Sequence, residues 1–545
     1  VLLDYNPSNS YFVLRVGRDE GIEPDMIRRE HGLDFSIPAS TSQFAVLMTK
    51  EPFAAAAFGD YATPAARAQL HGILTEIETS RAPDSDAHIR CPADQELWGF
   101  QKADIAYALR RTNTLIGDQP GLGKTPIAIC FANEVRAKRV LVVCPASIRL
   151  QWMRKIRIWT CQPWPYTIYP IINSKCGVHP KAEWTVVSYD LLRSEPIMAA
   201  LLKGLYDVLI LDEAHYLKEA TSRRTQALFG GGRNQVLAPL FGRCGATLAL
   251  TGTPLPNRPR EAFTLAKNLC HDSIDFMGEE AFQERFNPTQ RIETIDKKTG
   301  RTKFFIDERS GRHAELQNRL RANFMTRHLK REVMTQLKMP EYDIVQLDSM
   351  TPAIKEALKA ESLLEIDPEH LEGADAEILG DVSTVRKQMG IAMAPAVADY
   401  VDTLIEGGEE KLVIFAWHIE VLNILEKRFA EYGVVRVDGK TGSVRKEARV
   451  KKFIEDPTVR IILGNILSMG VGTDGLQEVC NHAIIAEPDW VPGNNIQCFD
   501  RLDRGGQNSA VQGDICVVPG SFAERVLATA LRKNQTNHKA LDRRM

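Results

Sequence analysis

The stretch Leu115-Ile-Gly-Asp-Gln-Pro-Gly-Leu-Gly-Lys-Thr125 decides the reading of this chain. A short apolar approach ends in two closely spaced glycines and a Lys-Thr pair. Gly121 and Gly123 let the backbone turn tightly, so that successive N–H groups face a phosphate chain. Lys124 is placed for the β- and γ-phosphates, and the Thr125 hydroxyl for magnesium. Pro126 fits the first turn of a following helix, where its missing N–H costs nothing. The general pattern is GxxxxGK[ST], and Asp118 stands where its first glycine belongs. As residues alone, the stretch is a near match to a P-loop. A Gly-rich turn before a helix is the bland alternative.

Outward from this loop, short runs of Val, Ile and Leu alternate with helical stretches from Gln95 onward. Val140–Cys144, Thr185–Tyr189, Val208–Leu211 and Thr247–Leu250 read as buried strands. The alternation returns at Leu412–Phe415, Val434–Val437, Ile461–Leu463, His482–Ala486 and Ile515–Val518. Two such blocks predict an α/β protein with two parallel-sheet lobes. In residues 1–90, Tyr11–Val16 and Gln43–Met48 read as strands, Asp25–His31 as a helix, and Ala82–Asp86 as a linker. The expected division is an accessory module over 1–90, a first lobe over 91–274, a helical basic segment over 275–345 and a second lobe over 346–545. Residues 275–340 look helical around a polar loop at Asp296–Arg301. Arg319–Lys338 carries six Lys/Arg against one Glu. It reads either as a solvated helix face or as a phosphate-contacting surface. Glu356–Asp381 is acidic and reads as a solvated connector.

Composition narrows the class. At about 150 residues per domain, 545 residues allow three or four domains. Lys+Arg is 68 against Asp+Glu 70, which excludes a wholly basic nucleic-acid binder but not a local basic groove. No apolar run approaches the roughly 18 residues that span a bilayer, and no signal-peptide pattern opens the chain. The ten cysteines are scattered without a CxxC pair, which supports neither a zinc site nor a disulfide framework. A reducing, cytoplasmic setting is expected, with the nucleus left open.

Three further stretches carry chemistry. Leu209-Ile-Leu-Asp-Glu-Ala-His215 is an apolar strand ending in adjacent carboxylates. Behind a P-loop, the first acid of such a pair helps hold magnesium, here Asp212, and Glu213 is placed to polarise water. Alone, the pair would be a common strand end. Ala249-Leu-Thr-Gly-Thr-Pro254 is weak by itself. Gln497-Cys-Phe-Asp-Arg-Leu-Asp-Arg504 sets two arginines three apart on one helix face. They suit either the charge on a transferring phosphoryl group or surface ion pairs.

The order P-loop, DEAH, TGTP and QxxxRxxR resembles a superfamily-two helicase-type motor, and the finer wording resembles the Swi/Snf-type DNA translocases. DQPGLGKT is similar to that family's DExGLGKT, which also carries Asp at the first position. VLVVCPASIRLQW (140–152), VVSYDLL (186–192), LTGTPLPNRPRE (250–261), LVIFAWHIEVLNILEKRF (412–429), RVDGKT (436–441), GVGTDGLQ (470–477) and QCFDRLDRGGQ (497–507) resemble its further motifs in order. The resemblance covers roughly residues 95–540. NRPREAF (257–263) and FMTRHLKREVMTQLKMPEY (324–342) are most similar to the annealing-helicase, or HARP-type, branch. Departures stand at Gln119-Pro120 (family Glu-Met), Asp503 (family His), Lys446 (family Arg) and Asp474-Gly475.

The resemblance implies two RecA-like P-loop lobes with helical insertions and a small N-terminal α+β module. It implies ATP and Mg2+ as cofactors, in a cleft between the lobes. Gln101 would recognise adenine. Asp118, Gly121, Leu122, Gly123, Lys124, Thr125 and Gln497 would hold the nucleotide, with Thr125 and Asp212 on the metal. Glu213 would activate water, and Arg501 and Arg504 would reach across from the second lobe. Ser147, Arg149, Thr251 and Thr441 would meet DNA phosphates. The expected partner is double-stranded or forked DNA, with a protein partner through residues 1–90 and no membrane. The activity implied is ATP-driven translocation that remodels or reanneals duplex DNA. A strand-separating helicase and an ATP-gated non-catalytic clamp are the alternatives.

Overall fold

Val140–Cys144 is buried at every residue, and its alternate side chains serve two different cores. Leu141 and Val143 join Leu209 and Leu211 on one side; Val142 joins Val208 and Ile210 on the other. A strand covered on both faces needs no polar alternation, which is why it reads as a continuous apolar run. In the computed structural model this strand lies inside a parallel sheet with helices on both faces. The structure describes residues 1–17, 36–40, 44–163, 165–231, 238–252, 254, 259–295, 302–308, 312–334, 340–347, 350–363, 376–469, 473–489, 492–504, 507, 509–525 and 527.

The chain opens with β1 (Leu2–Asn6), β2 (Tyr11–Gly17), β3 (Ser36–Ser40) and β4 (Phe44–Thr49). They form an antiparallel sheet in the order β1-β2-β4-β3. Phe12, Leu14, Val16, Ala45 and Leu47 turn one face toward Ala66 and Leu70 of the helix Pro64–Thr79. That helix starts where Thr63 accepts from the Ala66 N–H and Pro64 takes the first turn. The expected helix at Asp25–His31 lies outside the described residues. The module docks on the first lobe through Lys50–Asp275 at 2.5 Å and an Asn318-to-Glu51 hydrogen bond at 2.5 Å.

Glu51 is buried, and burial pushes its carboxyl from the ordinary 4.5 up to about 7. The folded state therefore binds more protons than the unfolded chain between those values. Stability contributed here falls as pH rises through that window. Glu51→Gln is expected to raise the melting temperature at pH 8, by about 2–4 °C per kcal/mol recovered, and to change it little near pH 4.5. Thermal unfolding at the two pH values checks this.

The first lobe is built on β5 (Asn113–Ile116), β6 (Val140–Cys144), β7 (Ile168–Pro170), β8 (Trp184–Ser188), β9 (Tyr206–Asp212) and β10 (Cys244–Leu250). The predicted strands are all present, shifted at most by a few residues. Residues 275–345, expected as a helical basic segment, are different. The helix Glu279–Phe286 is followed by an antiparallel pair of strands, β11 (Thr289–Ile295) and β12 (Thr302–Glu308). Residues 296–301 themselves lie outside the described set. Beyond the helix His313–Asn323, β13 (Met325–Thr326) adds to β5 and completes a seven-stranded sheet, β13-β5-β10-β9-β6-β8-β7, parallel throughout. The first lobe thus continues well past residue 274.

The second lobe begins before residue 346. β14 (Glu341–Gln346), β15 (Leu412–Ala416), β16 (Val434–Val437), β17 (Ile461–Asn465), β18 (His482–Ile485) and β19 (Gln512–Val517) form a parallel sheet ordered β14-β19-β18-β15-β17-β16. The acidic stretch from Glu356 runs into the helix Pro352–Leu363 and, after residues outside the described set, the helix Ala376–Glu406. Among the described residues no helix is long and apolar enough to cross a membrane. All ten cysteines are free thiols.

Candidate nucleotide cleft between the lobes

In parallel α/β sheets the carboxyl ends of the strands form the binding edge. β5 ends at Ile116 and feeds the loop 117–123, which turns into the helix Lys124–Glu134. Gly121 and Gly123 have φ of 88° and 73°. A side chain at Gly123 would place Cβ 2.5 Å from Gln101 Nε2, and one at Gly121 would lie 2.9 Å from the Asp503 carbonyl. Both glycines are required by backbone sign and by lack of room. Lys124 Nζ donates to the Asp118 carbonyl at 2.7 Å and the Gln119 carbonyl at 3.2 Å. Burial lowers the Lys124 pKa, against the pull of Glu213, Asp118 and Asp212.

β9 ends at Asp212. Its Oδ2 accepts from Trp152 Nε1 at 2.7 Å and its Oδ1 from the Glu213 N–H at 2.9 Å. Burial and the neighbouring Glu213 raise Asp212 to about 6. Glu213 sits at φ 52°, ψ 52°, a left-handed conformation that costs a non-glycine residue about 1 kcal/mol or more. The turn brings its carboxylate back over the strand end. There His215 Nδ1 lies 3.3 Å from Glu213 Oε2 and 3.0 Å from Thr251 Oγ1. Burial would raise the Glu213 pKa, but His215, Lys124 and Arg501 together hold it down at about 2. Two adjacent carboxylates thus differ in proton affinity: Lys124 acts on both, but the His215 hydrogen bond and Arg501 act on Glu213, while the charge of Glu213 itself pushes Asp212 up.

The second lobe supplies Arg501 and Arg504, expected on one helix face, from the turn that follows the helix Pro492–Phe499; the helix ends before either arginine. Arg501 Nε donates to the Gln497 carbonyl at 3.1 Å; burial and then Arg504 lower its pKa to about 10. Arg504 Nε donates to the Asp500 carbonyl at 2.7 Å, and its Nη1 lies 3.4 Å from Asp474. A cleft of about 230 Å³ is lined by Gly121, Gly123, Lys124, Thr125, Asp212 and Glu213 from one lobe and by Arg501 and Arg504 from the other.

Four expected nucleotide contacts do not line this cleft. Gln101 is buried beneath the loop; its Oε1 accepts from the Trp98 N–H at 3.0 Å and its Nε2 donates to the Leu122 carbonyl at 3.1 Å. Both ends of the amide hold helix and loop together. Asp118 is fully buried and accepts from the His328 N–H at 2.8 Å, with His328 Nδ1 at 3.1 Å. Leu122 packs with Phe100 and Met334. Gln497 is buried and offers its carbonyl to Arg501.

The residues expected to meet DNA have different surroundings. Thr251 is fully buried against His215, because β10 ends beneath the Asp212–His215 turn. The Arg149 guanidinium is tied to the Ala146 carbonyl at 3.2 Å and the Ile171 carbonyl at 2.5 Å. Thr441 bonds Asp438 at 3.0 Å, and the Ser147 side chain lies outside the described residues. Among its described residues the basic stretch from Arg319 is largely interior rather than a solvated face or a phosphate surface, with Arg331 exposed. Arg319 pairs with Glu315 at 2.7 Å and Asp275 at 2.9 Å, Arg327 donates to the Gly117 carbonyl at 2.6 Å, and Lys330 reaches Asp500 and Asp503. Sequence reasoning also passed over Trp152 and His215. Their signal was position: one lies in the stretch after β6, the other three residues beyond Asp212.

Residues 100–356 match the SNF2-related domain and residues 396–506 the helicase conserved C-terminal domain. The chain is 28% identical over 457 residues to the DNA annealing helicase and endonuclease ZRANB3 of Mus musculus, covering 82% of this chain and 41% of that protein. It is 27% identical over 458 residues to the SWI/SNF-related matrix-associated actin-dependent regulator of chromatin subfamily A-like protein 1 of Xenopus tropicalis, covering 82% and 45%. The chain therefore spans less than half the length of these relatives. A solved Sulfolobus solfataricus SWI2/SNF2 ATPase core in complex with dsDNA aligns at 15% identity and a TM-score of 0.37, covering 83% of this chain and 98% of that one. The two family matches together take in the whole first sheet, five of the six strands of the second and the Lys124, Asp212, Glu213, Arg501 and Arg504 positions, and the chain belongs to the Swi/Snf-type, SNF2-related helicase-like ATPases.

Proposed function

We propose that this chain is a DNA-stimulated ATP hydrolase that moves along double-stranded DNA and remodels or reanneals it. The observation that carries the reading is the convergence of Lys124, Asp212 and Glu213 with Arg501 and Arg504 on one cleft from two lobes. The annealing-helicase name of the ZRANB3 relative supports duplex or forked DNA as the substrate class.

The donor set fits a nucleoside triphosphate with Mg2+. Two positive-φ glycines leave room for phosphate, an ammonium and a hydroxyl flank it, and a carboxylate sits at the strand end. Thr125 and Asp212 would hold the metal, which would neutralise charge on the phosphates. Lys124 binds phosphate oxygens in place of the loop carbonyls it now contacts. Glu213, kept ionised by His215, Lys124 and Arg501, accepts hydrogen bonding from water and orients it. Arg501 and Arg504 face developing negative charge. Because they come from the other lobe, lobe closure and hydrolysis are coupled. Trp152 positions Asp212. Trp152→Phe keeps an aromatic ring but loses the indole N–H and some buried volume; the lost hydrogen bond to a carboxylate is worth about 1.5–3 kcal/mol. It is expected to lower kcat about tenfold, measured as ATP turnover at saturating Mg2+.

ATP turnover with duplex, forked and single-stranded DNA at two salt concentrations tests the reading. Stimulation by duplex or fork that weakens with salt, without strand displacement, is expected. Strand displacement would make the chain an unwinding helicase. Absence of stimulated turnover would make it a clamp.

A further inference from the structure

Residues 324–330 run along the phosphate-binding loop as a strap. The Leu115 N–H donates to the Phe324 carbonyl at 2.7 Å, Gly117 to Thr326 at 2.8 Å and Gln119 to His328 at 3.1 Å. The side chains repeat the connection. Asp118 accepts from His328, and Gln119 Oε1 accepts from the Lys330 N–H at 2.7 Å. The strap therefore moves with the loop.

Its last residue crosses to the other lobe. Lys330 Nζ donates to Asp500 Oδ1 and Asp503 Oδ2, each at 2.6 Å. All three residues are at most 8% exposed, so these pairs are shielded from solvent rather than loose surface contacts. Asp500 directly precedes Arg501, and Asp503 directly precedes Arg504. The Asp500 carbonyl also receives Arg504 Nε. Gly121 is close enough that a Cβ there would meet the Asp503 carbonyl at 2.9 Å, Arg504 Cγ at 3.0 Å and Lys330 Cε at 3.3 Å. Loop, strap and arginine turn meet at one point.

Two departures from the family wording meet there as well. Gln119 stands for Glu and contacts the Lys330 backbone; Asp503 stands for His and contacts its ammonium. A histidine at 503 would leave Lys330 with one carboxylate instead of two. We propose that Lys330 is a positioning residue, whose paired contacts with Asp500 and Asp503 set where Arg501 and Arg504 stand relative to the phosphate-binding loop. The proposal rests on the reading of the cleft as an ATP site. Lys330 touches no reacting atom in this scheme; it acts through the two arginines.

Three variants test it: Lys330→Met, Lys330→Arg, and the neutral triple Lys330→Met/Asp500→Asn/Asp503→Asn. In the full chain with saturating duplex DNA, Lys330→Met is expected to lower kcat at least tenfold with the KM for ATP changed less than twofold. Lys330→Arg should recover at least half of the loss. The triple variant removes the unpaired buried charges, so it should regain thermal stability, yet its kcat should stay at least tenfold down. A purely structural role makes the opposite prediction: the triple variant regains stability and kcat together. That result, or a kcat for Lys330→Met within twofold of the parent, overturns the proposal. Should Lys330→Met not fold, the triple variant decides alone. Small-angle scattering without nucleotide or DNA reads the lobe arrangement independently of turnover. A wider separation in the variants is expected. An unchanged profile overturns the role of Lys330 even if the parent chain hydrolyses no ATP, whereas a parent without turnover but with the profile change leaves the contact standing and removes only the hydrolase reading.

Discussion

Glu213→Gln is expected to lower duplex-stimulated ATP turnover by about 10²–10⁴-fold, the usual contribution of a positioned acid–base group, while ATP still binds. The substitution keeps shape and length, removes the negative charge and turns one acceptor oxygen into an NH2 donor. That charge is well supported. Burial alone would protonate Glu213, but His215, Lys124 and Arg501 hold its carboxylate at about 2. The left-handed backbone at Glu213 shows that the turn is bent at some energetic cost to aim this side chain. Binding of a fluorescent ATP analogue and turnover, measured on the same preparation, separate the two effects. Unchanged turnover would remove Glu213 from its role.

The second large effect belongs to Arg501. Its guanidinium is buried, beside Arg504, and its pKa is lowered to about 10 by burial first and by that second cation next. It stays protonated at neutral pH, but in a setting that disfavours more positive charge. Negative charge arriving between the lobes relieves this cost, which is how preorganised donors act on a transition state. Arginines that reach transferring phosphoryl groups contribute about 10³–10⁵ in kcat. Arg501→Ala is expected to lose turnover on that scale. Arg501→Lys should recover little, because a point charge cannot reproduce a planar fork of donors. Steady-state ATPase rates with duplex DNA check both. A loss below tenfold in Arg501→Ala would place the arginine outside the reacting centre.

Local chemistry made much of this legible. Val140–Cys144 was recognisable as a strand because burial on both faces leaves an uninterrupted apolar run. The loop before Lys124 was recognisable because Gly121 and Gly123 answer a backbone requirement that no other residue meets well. Thr289–Ile295 and Thr302–Glu308 were not legible as paired strands. Antiparallel pairing depends on a partner strand, which neither segment carries in its own sequence. β13 is only two residues long and exists because β5 offers it an edge. Gln101 and Asp118 were expected to hold the nucleotide, yet Gln101 donates to the Leu122 carbonyl and Asp118, within the loop, accepts from His328. Spacing can bring a polar group near a site, but it cannot say which way the group turns.

The order of residues by itself determined the two lobes, the glycine loop that leads to Lys124 and the strand end that carries Asp212 and Glu213. Each depends on neighbours within a few positions, through uninterrupted apolar runs and glycine backbone freedom. Only the tertiary structure decided that the cationic run after Arg319 faces inward and that Lys330 meets two aspartates from the other lobe. A charged side chain is buried or solvated according to which opposite charge the fold delivers to it, and here Asp500 and Asp503 lie about 170 residues farther along the chain.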